Sequence, residues 1–136
     1  MNQHICALLI HDQEELFEPL RRTLSDLSVE TYSVATCQQA KHLISHWKPQ
    51  IIFTEKSVAD GSWMNVINLA EAADPPLSVI VVGTIPDTQL YLSTMERGAF
   101  DFVAPPFEHE PLNFVLRSAA LNAHRHRETL SHALAV

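Results

Sequence analysis

The sequence predicts an α/β protein built on one five-stranded parallel sheet with helices on both faces, a doubly wound architecture. Three observations carry this. Short runs of purely apolar residues recur, each too short for a helix of its own and suited to a strand buried on both faces. Between them the apolar residues return at helical spacing, so strand and helix alternate five times, and the crossover rule then makes consecutive strands parallel. The 136 residues and 15.3 kDa supply one core and leave no room for a second.

Ile5 to Ile10 is the first apolar run, with His11 and Asp12 at its carboxyl end. Leu16, Leu20, Leu24 and Leu27 follow at helical period, with Asp12 as the expected N-cap. Pro19 lacks an amide donor and is expected to kink or shorten the first turns. Val29 to Ala35 alternates as a strand, Gln38 to Trp47 is helical, and Ile51 to Phe53 is the next short buried strand. Glu55 to Ser62 reads as a loop in which Asp60 and Gly61 form a turn pair. Met64 to Ala72 is helical, Pro75 and Pro76 interrupt, and Val79 to Val82 is the plainest buried strand. Thr88 to Arg97 predicts a helix closed by Gly98 at C′, with Leu92, Met95 and Ala99 toward the sheet and Leu90 and Tyr91 partly outward. Phe100 to Val103 is the last strand.

From Glu110 to Val136 one helix would run about 40 Å at ~1.5 Å per residue, more than the sheet needs. Leu112, Val115 and Ala119 are expected inward, while Leu116, Ala123, Leu130 and Leu134 extend an apolar stripe past the body. Residues 1–122 then form the domain, and 123–136 an extension serving as dimer seam or linker.

The formal net charge of −7 argues against a nucleic-acid partner, since phosphate neutralisation needs a basic face and only Arg125, His126 and Arg127 cluster. Cys6 and Cys37 read as buried free thiols. No run of ~18 apolar residues occurs and Met1 to His4 has no signal-peptide features, so the expected setting is the cytoplasm, with no membrane contact. His42 and His46 stand i, i+4 but lack the glutamate of a zinc-protease motif, which leaves a solvated helix face.

In a doubly wound sheet the functional crevice lies beyond the carboxyl ends of the strands. That selects His11, Asp12, Glu55, Gly83, Thr84 and Ala104-Pro105-Pro106. Around these positions the chain resembles a known family. Arg97 to Phe107 (RGAFDFVAPPF) is similar to the closing block of response-regulator receiver domains, most of all those of the nitrogen-regulatory type. Leu8 to Asp12 resembles their first strand with its acid pair, Pro49 to Glu55 their phosphoacceptor strand, and Ala59 to Ser62 the Pro-Asp-Gly-Ser loop that follows. The likeness covers residues 5 to about 120 and implies a flavodoxin-like (βα)5 receiver topology, CheY-like in type.

In that family an aspartate accepts a phosphoryl group, acids hold Mg2+, a Thr or Ser reads the phosphoryl oxygens and a Lys neutralises them, because phosphoryl transfer needs cations on the equatorial oxygens. Here Glu55 stands at the acceptor position, His11 at the first acid, Gly83 at the hydroxyl with Thr84 one residue late, and Pro105 at the Lys. Only Asp12 keeps the family residue, and Phe102 completes the switch positions. The resemblance and these four departures from it imply an atypical receiver of two-component, phosphorelay-type signal transduction that works without aspartyl phosphorylation, through protein–protein contact, is not an enzyme, has no cofactor, and binds Mg2+ weakly or not at all. Its partner would be another protein, a downstream effector domain or a second copy, met through Leu90, Tyr91, Leu116, Leu130 and Leu134.

Two alternatives stay open. His11, Asp12 and Glu55 could together hold a transition metal, or His11 could pair with one carboxylate, which would raise its pKa. The former pocket could also serve a small ligand, against which stand only 3 glycines and no Gly-rich phosphate loop.

Overall fold

A computed structural model describes the backbone of residues 4–135 and the side chains of residues 4–122. The chain runs β1 (Ile5–Ile10), α1 (Glu14–Asp26), β2 (Val29–Val34), α2 (Cys37–Trp47), β3 (Ile51–Glu55), β4 (Ser57–Val58), β5 (Gly61–Ser62), α3 (Trp63–Ala72), β6 (Ser78–Val82), α4 (Thr88–Glu96), β7 (Asp101–Val103) and α5 (His109–Ala135). Five strands form one parallel sheet in the order β2-β1-β3-β6-β7, and β4 pairs with β5 in a small antiparallel hairpin.

The apolar runs are explained by two cores. Ile5, Ala7, Leu9, Ile51, Phe53, Ile80 and Val82 meet α1 and α5 on one face, while Leu8, Ile10, Ile52, Val79 and Val81 meet α2 and α3 on the other. Successive residues of a strand alternate faces, so a strand covered on both sides must be apolar throughout.

Local polar bonds set where the helices start. The Thr36 hydroxyl accepts from the Gln39 amide at 3.1 Å, Ser62 and Asn65 form a reciprocal capping box on α3, and Asp87 accepts from the Leu90 amide at 3.0 Å. Gly98, with φ of +105°, follows α4 in the left-handed conformation expected of it.

Several expectations are corrected. Gln13, not Asp12, is the N-cap of α1, and its side chain makes no capping bond; Glu14 and Glu15 instead place negative charge at the helix start. The helix runs through Pro19 to Asp26, because the donor Pro19 lacks would serve only the Glu15 carbonyl in the first turns. Cys6 and Cys37 are free, as expected, but half-buried. In α4 it is Leu90 and Thr94, one turn apart, that face the sheet, while Leu92 and Met95 are exposed and Ala99 is buried from beyond the helix end. In α5 Leu116 is fully buried together with Leu112, Ala119 and Ala120. Among the described residues the outward apolar positions of α5 are Phe114 and Leu121, seven residues apart and so on one helix face. Leu116 is thus a core residue and not a surface contact, Leu90 is half-buried against the core, and the side chains of Ala123, Leu130 and Leu134 lie outside the described residues.

The Ser78 hydroxyl, at the start of β6, donates to the Ala119 carbonyl at 3.0 Å and accepts from the Asn122 amide at 3.1 Å, which fastens α5 to the sheet. The expected boundary between residues 122 and 123 falls inside α5. Among the described residues no helix is long and apolar enough to cross a membrane.

Candidate functional site

Parallel register brings the ends of β1, β3 and β6 to one edge of the sheet, and with them His11, Asp12, Glu55, Gly83 and Thr84. A cavity of about 310 Å³ opens there, lined among others by Glu55, Lys56, Ser57, Gly83, Thr84 and Asp87. Pro105, in the turn after β7, does not line it. Thr84 lies beyond the last residue of β6, so strand alternation no longer governs where it points, and it reaches the cavity wall. Lys56 and Ser57 were not singled out from the sequence; the available signal was their place directly after the acceptor-position acid.

Glu55 is buried, and one of its carboxylate oxygens accepts a bond from the Asp12 backbone N–H. Burial pushes its carboxyl above the ordinary range, the Asp12 amide offsets part of this, and the nearby Asp12 carboxylate adds to it. His11 leaves the cavity. Its ring stacks on Phe17 at 4.2 Å between centroids, and Nε2 lies 3.1 Å from the Arg21 guanidinium and 3.3 Å from the Ser33 hydroxyl. Arg21 can only donate, so the neutral ring accepts at Nε2 and carries its proton on Nδ1, which is buried without a partner. Burial first and Arg21 second hold the His11 pKa below its usual value. This corrects the expected His11–carboxylate pair and its raised pKa, and His11, Asp12 and Glu55 form no three-donor cluster.

Gly83 donates its N–H to the Val103 carbonyl at 2.9 Å. A Cβ at this position would lie 2.5 Å from Cζ of Phe102, so the ring occupies the space a side chain at position 83 would need. Phe102 and Ala104 also line a groove with Tyr91 and Pro86 between β7 and α4. Asp60, expected only to shape a turn, accepts from the Cys37 and Gln38 amides at 2.7 and 3.1 Å and so binds the β4–β5 hairpin to the start of α2. Those amides hold its carboxyl below the usual range.

The His11 geometry predicts a pH effect. A lowered folded-state pKa contributes stability that is present above the unfolded value near 6.5 and is lost as pH falls through the folded value. Glu55 has the opposite sign: its contribution is present at low pH and lost as pH rises through its raised pKa. Urea unfolding at pH 7.5 and 5.5 should therefore show a smaller acid loss in His11→Phe than in the native chain. Equal losses would mean that His11 takes up its proton in the folded state without strain.

The five-stranded parallel sheet and its strand-end crevice have the fold of solved response-regulator receiver domains. Among these, the likeness is to receivers of the PilR and NtrC/NtrX type. The response regulator protein PilR of Pseudomonas aeruginosa is 22% identical over 102 residues, 75% of this chain and 23% of PilR. NtrX from Brucella abortus, crystallised with ATP, superposes with a TM-score of 0.80 at 20% identity over 95% of this chain and 29% of NtrX. The beryllofluoride-activated NtrC4 receiver domain dimer gives a TM-score of 0.74 at 20% identity over 87% of this chain and 98% of that one. The chain spans about a quarter of the length of PilR. No family model matches it.

Proposed function

We propose that this chain is an atypical receiver that signals without aspartyl phosphorylation, in the cytoplasm, by binding a protein partner. One observation carries the reading: the two side chains at the acceptor and metal-side positions have parted, with Glu55 desolvated and tied to the Asp12 amide and His11 stacked on Phe17 outside the cavity. Mg2+ asks for several oxygen ligands in octahedral array. Asp12 and the one uncommitted oxygen of Glu55 are a poor set for it, and Gly83 and Pro105 bring neither hydroxyl nor ammonium. The contact face would be α4, β7 and α5, where Tyr91, Leu92 and Met95 are exposed beside the Phe102 groove and Phe114 and Leu121 line the outer side of α5. An effector domain or a second copy could occupy it, in keeping with the greater length of PilR and the dimer named for NtrC4.

Incubation with acetyl phosphate and Mg2+ is expected to leave the intact mass unchanged. A stoichiometric phosphoryl adduct on Glu55 or Asp60 would overturn the reading. A second reading, a small-anion site in the same cavity, is favoured by Lys56, Ser57 and Thr84 on its walls. Inorganic phosphate that raised the melting temperature in the native chain but not in Lys56→Ala would move that reading ahead.

A further inference from the structure

At the opposite end of the sheet, where β1 and β2 begin, three donors of different kinds converge. Cys6 and Glu30 are partners in the parallel β1–β2 register and so share a face; His4, two residues before Cys6, shares it too. His4 Nε2 is 2.7 Å from Glu30 Oε2, Cys6 Sγ is 3.6 Å from the same oxygen, and the three donor atoms all lie within 4.8 Å of one another. Among the described residues this is the one cluster of its kind.

The cluster is held in place. The Gln50 side chain accepts from the Cys6 amide at 2.7 Å and donates to the His4 carbonyl at 3.0 Å, clamping the segment that carries two of the donors. Glu30 lies on β2, the edge strand, which leaves the outer side of the cluster open to solvent.

We propose that His4, Cys6 and Glu30 form a site for a transition metal of the Zn2+ class, with water in the fourth tetrahedral position. An imidazole, a thiolate and a carboxylate are the ligands Zn2+ takes, and the thiolate excludes Mg2+ and Ca2+. Metal–ligand lengths of about 2.0–2.3 Å place tetrahedral donors roughly 3.3–3.8 Å apart. The Cys6–Glu30 distance already falls in that range, and binding asks that His4 and Glu30 part by less than about 1 Å as each turns from the other to the metal. The Cys6 S–H bond breaks as the sulfur–metal bond forms, and its proton passes to solvent. The site is remote from the Glu55 cavity and independent of how that cavity is read.

The test is titration of the full chain with Zn2+ and with Co2+ alone. One equivalent should bind, and the Co2+ form should show thiolate-to-metal charge-transfer absorption in the near ultraviolet. His4→Ala, Cys6→Ser and Glu30→Gln should each weaken binding by more than the about 10–100-fold that loss of an outer-shell partner costs. Cys37→Ser and the His42→Ala, His46→Ala pair should leave it unchanged. If Cys6→Ser does not fold, His4→Ala, an exposed residue ahead of β1, decides the matter. The proposal fails if the charge-transfer band is absent, if it follows Cys37, or if binding survives His4→Ala.

Discussion

Phe53→Ala is expected to lower stability by about 3–5 kcal/mol. Phe53 is fully buried in the middle strand of the sheet, paired with Leu9 on one side and Ile80 on the other, in the core that α1 and α5 close. Truncation removes the transfer energy of the ring and leaves a cavity between elements that cannot collapse without breaking sheet register. Domains of this size are stable by only about 5–15 kcal/mol, so the variant should unfold at a much lower urea concentration. A loss below about 1 kcal/mol would show that the layer is not tightly packed around this ring.

Gly83→Thr, which restores the hydroxyl usual among receivers, should cost about 1–3 kcal/mol by overpacking. The new Cβ would stand 2.5 Å from Cζ of Phe102 and 3.3 Å from the Ile85 carbonyl; the ring can swing away but the backbone oxygen cannot readily yield. Phe102 would then leave the groove it shares with Tyr91, and Tyr91 ring resonances should shift with it. A double-mutant cycle with Phe102→Ala should recover part of the cost, a coupling above about 0.5 kcal/mol. Additive effects and an unmoved Tyr91 would show that Gly83 does not hold the ring in place.

The strands and the location of the cavity were legible because parallel pairing leaves little freedom. Once Ile5 to Ile10, Ile51 to Phe53 and Val79 to Val82 read as buried strands, the residues after them had to meet at one edge. Helix phase was less legible. α4 has only nine residues, and its apolar Leu90, Tyr91, Leu92 and Met95 spread over an arc of roughly 200°, so periodicity does not choose a face. Val115 and Leu116 of α5 stand about 100° apart and a wide buried arc accepts both, which is why Leu116 was misplaced. The direction of His11 depended on Phe17, Arg21 and Ser33, and the role of Asp60 on amides 22 and 23 residues away, contacts that no local pattern announces. The His4, Cys6 and Glu30 cluster became visible only with strand register, since nothing in the spacing of Cys6 and Glu30 signals adjacency.

The bond pair at Ser78 gives α5 a mechanical character. Asn122 is fastened there, and the helix continues to Ala135, about 20 Å further at ~1.5 Å per residue. Ser78 is thus a fulcrum and the outer half of α5 a lever arm. A tilt of about 10° about that point carries the backbone at Ala135 by roughly 3–4 Å, a displacement large against the tolerance of packed side chains.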